Sequence, residues 1–175
     1  MSFVGPALTW NLLEDTGVNG ITGISSYGPG NSITVVSINQ QHYGHARQVA
    51  NALWGAGRGG SKYVIVVDSD IDVSDLHKVM LAIANRSQGS KSLAIVTDTF
   101  GAGLDPAVHP DIKKKLGSGK WDRILIDATW PYDWEPRAEW DGLKHPPDCR
   151  ASQGMISKVR QRWNEYNLEG SRKKS

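Results

Sequence analysis

Four carboxylates fall within the stretch VVDSDIDVSD, Val66 to Asp75: Asp68, Asp70, Asp72 and Asp75. Two kinds of chemistry fit that spacing. Asp68 and Asp70 stand two apart behind an apolar run, and oxygen donors at a strand end suit a divalent ion such as magnesium. Alternatively, Asp68 and Asp70 accept hydrogen bonds from loop amides, and Asp72 to Asp75 open a helix. Negative charge there meets the positive end of the helix dipole. A metal-dependent phosphotransfer centre also needs a downstream lysine and a second acidic pair, and TDTFG and IDATW supply single acids only. The residues therefore favour a helix start without metal, with a phosphotransfer domain built on Asp68 and Asp70 as the alternative.

His42 and His45 flank Tyr43-Gly44 just ahead of a helical pattern, where they would line a cleft. Two histidines without a third ligand make a poor metal pattern. In a strand-to-helix loop, a histidine is more often a hydrogen-bonding structural residue. One cysteine, Cys149, leaves no internal disulfide and no cysteine-based zinc cluster.

Bulk properties narrow the function classes. A chain of 175 residues with 39% hydrophobic content can bury one core. Net charge is only +2, and the basic excess sits in Lys113-Lys114-Lys115 and the terminal SRKKS. The tryptophans lie among acids, as in WPYDWEPRAEWD, whereas a nucleic-acid surface interleaves aromatics with basic residues. No apolar run approaches the roughly 20 residues of a membrane span. The N-terminus lacks a basic region and a long apolar segment. The expectation is a cytoplasmic protein without nucleic-acid or membrane partners.

The elements that must position these residues follow from periodicity. Ala7, Leu8, Leu12 and Leu13 recur at helical spacing, with Gly17 placed to end the helix. GITGISSYG and SITVVSI read as two strands joined by a GPGN turn, antiparallel at one sheet edge. GHARQVANALWGAG is helical. KYVIVVD is a continuous apolar run, as in a strand covered on both faces. A helix follows with Ser74 as its cap and Leu76, Val79, Met80 and Ile83 as its stripe. SLAIVTD and WDRILIDAT read as two more buried strands, and HPDIKKKLG as a short helix or extended segment. These elements predict a three-layer α/β/α domain over 1–150 with a mixed, largely parallel sheet. A proline-rich arm then leads to a helix over 151–168 using Ile156, Val159 and Trp163, predicted to drive self-association, and residues 169–175 form a disordered basic tail.

Four segments in one order carry a family resemblance: VVSINQQHYGHARQVANALW, KYVIVVDSDIDVSDLHKVMLAIANR, LDP and ILIDAT. Over roughly residues 5–150 the chain resembles the C-terminal region of the UbiD family of reversible decarboxylases, which use prenylated FMN. In that family the acidic segment starts a helix and is not the metal site. The resemblance implies that the cofactor, its manganese and potassium, and the catalytic glutamate–arginine–glutamate set belong to a domain upstream or in a separate chain. By the same resemblance this chain is a C-terminal domain, a separate subunit or a degenerate relative, catalytically silent by itself. The alternative is a non-catalytic module for oligomerisation or partner binding.

For individual residues the resemblance implies a little more. The loop matching INQQHYGHA faces the cofactor cleft, which makes Asn39 and Gln40 the cofactor-side positions. Many members carry lysine there, and a lysine holds phosphate as a point charge; its absence weakens direct phosphate binding here. His42 and Tyr43 become candidates for the substrate side. FGAGLDP is similar to a pocket-shaping loop, so Ala102 and Leu104 are expected to border an aromatic or unsaturated acid, although Leu104 is equally readable as a buried anchor.

Overall fold

The computed structural model describes residues 4–56, 60–147 and 151–166. Two compact units divide after Trp134, Met1–Trp134 and Glu135–Ser175. The sequence reading had kept the arm in the first domain.

In the first unit, helix α1 (Val4–Asp15) ends where Gly17 turns left-handed at φ 79°. The Gly17 and Val18 amides then close on the carbonyls of Glu14 and Leu13, both at 2.9 Å. Strands β1 (Ile21–Tyr27) and β2 (Ile33–Ile38) pair antiparallel. Next come α2 (His45–Gly55), β3 (Tyr63–Asp68), α3 (Leu76–Arg86) and the short α4 (Gly89–Ser92). The unit closes with β4 (Leu93–Gly101), α5 (Pro110–Leu116) and β5 (Gly119–Ala128). The five strands are ordered β1-β2-β3-β5-β4; β2, β3 and β5 run parallel, and β4 runs antiparallel to β5.

Alternation along the central strands divides the core. Val36, Ile38, Val64, Val66 and Leu125 meet Leu13 of α1 and Ala46, Val49, Ala50 and Leu53 of α2. Val35, Ile65, Val67 and Ala128 meet Val79 and Ala82 of α3 on the other face. Both faces of β3 are covered, so its run of apolar residues needs no polar alternation. The mixed three-layer α/β/α reading holds.

Three local readings change. Asp75, not Ser74, caps α3, accepting from the amides of His77 and Lys78. Ser74 instead donates its amide and hydroxyl to Asp72, at 3.0 and 2.7 Å. In α3, Val79 and Ala82 are buried against the sheet and Ile83 packs beside them, whereas Leu76 and Met80 remain about half exposed. The β4 strand is an exposed edge rather than a buried strand, with Leu93, Ile95, Val96 and Phe100 all exposed. Its register shifts between Val96 and Thr99, where Asp98 takes φ 60° and pairs with Lys120. A bulge and a charge of this kind protect an open edge from pairing with other strands.

The second unit carries a one-turn 3-10 helix, Ala138–Trp140, beside a bridge between Arg137 and Leu143. Helix α6 (Gln153–Gln161) is capped by Ser152 and leads into a 3-10 turn at Trp163–Tyr166. No residue of α6 is buried. Cys149 and the basic tail lie outside the described residues. Among the described residues, no helix is long and apolar enough to cross a membrane.

Candidate functional site

Because β2, β3 and β5 are parallel, their carboxyl ends line one edge of the sheet. Gln40, Asp68 and Asp127 lie at that edge, followed by Trp130. The Asp68 carboxylate is its centre. Oδ1 accepts from Gln40 Nε2 at 3.0 Å. Oδ2 accepts from Arg86 Nη1 at 2.8 Å and from the Trp130 amide at 2.9 Å. Arg86 also grips Asp70 through both terminal nitrogens, at 2.8 and 2.6 Å. Its guanidinium carbon lies 5.2 Å from the centre of the Trp130 ring, within cation–π range.

The cation that meets Asp68 and Asp70 is therefore a guanidinium contributed by the last residue of α3. Its side chain is only 7% exposed. Burial acts against its charge, but the hydrogen bond to Asp70 and the charges of Asp70 and Asp68 outweigh it, so its pKa rises. Among the described residues, no group of three or more histidine, cysteine or acidic side chains is arranged to hold a metal ion. Asp127 is raised by burial against the pull of its Thr129 hydrogen bonds, and the Asp68 charge adds to the rise.

The loop after β2 carries most of the predicted site residues. Gly44 turns left-handed at φ 79° and starts α2. His45 is buried, with Nδ1 accepting the Gln41 amide at 3.3 Å. Burial, followed by the neighbouring His42, lowers its pKa, which keeps the ring neutral and structural. His42 lies beside it, ring centres 4.7 Å apart, and faces outward with Tyr43, which is 82% exposed. Tyr132 donates its hydroxyl to the Gln41 carbonyl and ties the chain beyond β5 to this loop.

Gln40 fits a cofactor phosphate poorly. Its amide nitrogen donates to Asp68 and, at 2.8 Å, to the Trp130 carbonyl, so both hydrogens are engaged within the chain. Asn39 is exposed, and its backbone amide bonds the Gly20 carbonyl.

Ala102 and Leu104 are not brought to this edge. They follow Gly101, which pairs with Gly119 at the start of β5. The length of β5 separates them from Trp130 by about 30 Å at ~3.3 Å per residue. Leu104 is 94% exposed, which removes its reading as a buried anchor. The adjoining Asp105 pairs with Lys62 at 2.8 Å. Sequence reasoning missed Arg86, Trp130 and Asp127. The available signal was charge balance, since two acids at a strand end need a cation, and Arg86 ends the helix they start.

Comparison with known proteins gives this geometry a setting. The sequence model of the 3-octaprenyl-4-hydroxybenzoate carboxy-lyase C-terminal domain matches residues 1–128, ending with β5. The phenolic acid decarboxylase of Sedimentibacter hydroxybenzoicus is 34% identical over 116 residues, which cover 65% of this chain and 23% of that protein. Anhydromevalonate phosphate decarboxylase of Aeropyrum pernix is 36% identical over 99 residues, 57% of this chain and 21% of that protein. Among solved structures, the UbiD-class enzyme HmfF from Pelotomaculum thermopropionicum, in complex with FMN, is similar at TM-score 0.67 and 26% identity. That similarity covers 88% of this chain and 31% of HmfF. The chain thus spans less than a third of the length of these relatives.

Proposed function

The chain belongs to the UbiD family of carboxy-lyases, matching its C-terminal domain, and on that premise we propose that it is the C-terminal domain or subunit of a decarboxylase. The proposed substrate is an aromatic or α,β-unsaturated carboxylic acid, and the proposed cofactor is prenylated FMN held mainly by another domain. The observation that carries the reading is the hydrogen-bonded strand-end edge, which presents His42 and Tyr43 outward on a loop tied down through Gln40 and Gln41. The FMN complex of HmfF and the phenolic acid activity of the Sedimentibacter relative support the cofactor and substrate classes.

Decarboxylation leaves electron density on carbon and needs an electron sink and a returning acid. When bound, the prenylated flavin supplies the sink. Manganese, potassium and the proton-returning carboxylic acid are assigned to the catalytic domain. This chain contributes a wall that excludes water and orients the substrate. That wall is His42 and Tyr43, with Asn39 toward the cofactor and Gln40 fixing the loop from within the chain. Ala102 and Leu104, on the far edge of the sheet, are not part of it.

Co-expression with a UbiD-type catalytic domain, in cells that make prenylated FMN, tests the proposal. Carbon dioxide release from cinnamate-type and hydroxybenzoate-type acids should require both chains. The 175-residue chain alone should show neither flavin absorbance nor turnover. Stoichiometric flavin with turnover on the chain alone would move the active site into it and overturn the division of labour.

A second role is favoured by the exposure of α6 and the turn after it: of the predicted stripe, Val159 and Trp163 are 38% and 48% exposed and Ile156 is partly covered, and Met155 and Tyr166 add to it at 58% and 40%. Such an apolar stripe marks a contact surface, and we assign it to self-association. Light scattering over a dilution series should show a concentration-dependent oligomer, weakened by about 2–4 kcal/mol in Trp163→Ala. A chain that stays monomeric at every concentration would remove this role.

A further inference from the structure

Three segments remote in sequence end on one carboxylate. Gln40 reaches Asp68 from the loop after β2, Trp130 from the chain after β5, and Arg86 from the end of α3. Gln40 in turn binds the Trp130 carbonyl, closing a ring of contacts around Asp68. The loop bearing His42 and Tyr43 is held at its start by the Gln40 contacts and by the Tyr132 hydroxyl on the adjacent Gln41 carbonyl. Its geometry thus depends on where the Asp68 carboxylate points.

Asp68 would not hold that orientation unaided. Asp70 stands two residues away, and the Asp68 charge adds to the rise that burial imposes on the Asp127 pKa. Arg86 supplies the compensating charge, and it does so directionally. One guanidinium nitrogen bridges Asp68 and Asp70 while the other closes a two-bond fork on Asp70. A planar fork of donors fixes two carboxylates relative to each other, which the point charge of a lysine cannot do.

We infer that Arg86 is a positioning residue: through Asp68 and Gln40 it sets the pose of the loop that carries His42 and Tyr43. This inference deepens the carboxy-lyase reading, on which its consequence for turnover rests. Arg86 hydrogen-bonds Asp68 and Asp70, and Gln40 leads from Asp68 into the loop of His42 and Tyr43. Arg86 thus acts through that carboxylate and that amide.

Amide hydrogen exchange on the full chain tests the inference without any activity. Arg86→Lys should speed exchange of the Gln40 side-chain amide and of the Gln41 and Trp130 backbone amides by about tenfold or more, as expected when a charge-assisted hydrogen bond is lost. The amides of Val64 to Val67 in β3 should keep their wild-type rates. Asp70→Asn, at a carboxylate more than half exposed, should fold normally and give a smaller rise at the same amides. Unchanged loop exchange in both variants, or a rise only in step with β3, would overturn the inference by reducing Arg86 to general stability. In the co-expressed decarboxylase, Arg86→Lys should lower kcat more than it changes KM, and wild-type kcat beside a displaced loop would overturn the link to the reaction. If no decarboxylase assembles, the carboxy-lyase reading fails, and the exchange data still decide the positioning role.

Discussion

The two edges of the sheet each bury an arginine, and they treat it differently. At the carboxyl edge, Arg86 meets two carboxylates and lies against Trp130. At the opposite edge, Arg123 is 3% exposed, lies 6.0 Å from the centre of the Trp121 ring and, among the described residues, bonds neutral acceptors: the Thr99 hydroxyl at 3.1 Å and the carbonyls of Gly60 and Phe100 at 3.3 and 3.0 Å. Burial lowers the Arg123 pKa, whereas the pKa of Arg86 rises because its acids outweigh burial. A guanidinium among carbonyls gives up hydration and recovers hydrogen bonds without ion pairing. One placed between two carboxylates recovers both, and links segments that local structure leaves independent. The edge that presents His42 and Tyr43 is the one where an arginine bridges two carboxylates; at the other, the ion pair is a separate one between Lys62 and Asp105.

The largest expected effect breaks the ion-paired edge. Arg86→Met leaves the mostly buried Asp68 without its counter-charge and should lower unfolding stability by about 2–4 kcal/mol, read from the denaturant midpoint. The same variant should gain a melting-temperature rise with millimolar manganese, since the freed carboxylates become available oxygen donors. Wild type should show no such rise. A clear rise in wild type, abolished by Asp70→Asn, would instead revive the phosphotransfer alternative.

Arg123→Met is the sharper and smaller test. Removing a buried charge offsets part of the loss of its hydrogen bonds, so the cost should be about 1 kcal/mol. Urea titration of the two variants side by side decides the matter. If Arg123→Met proves the more damaging, ion pairing is not what distinguishes the edges.

Much of this was legible in the residues, and the failures have physical causes. KYVIVVD became β3 because a run of branched apolar residues has few other stable homes. Gly17 ended α1 because its left-handed turn is open to glycine without strain. The acids near Asp72 and Asp75 opened α3, with only the capping residue displaced by one position. SLAIVTD misled because apolar content does not distinguish a strand with two neighbours from an edge strand with one. His42 and Tyr43 were placed on an exposed loop, but the resemblance that paired them with Ala102 and Leu104 gave no account of which sheet edge each loop leaves.

By itself, the sequence determined the local elements, the acidic start of α3, the membership of a carboxy-lyase family and the strand-to-helix loop that carries His42 and Tyr43. Those properties depend on residues within a few positions of one another, or on a pattern shared along the chain. Only the tertiary structure decided that β4 lies at the edge, that Ala102 and Leu104 stand a full strand length from His42, and that Arg86 is the cation between Asp68 and Asp70. Each of these depends on strand order and register, which arise when distant segments pair and bury their faces together.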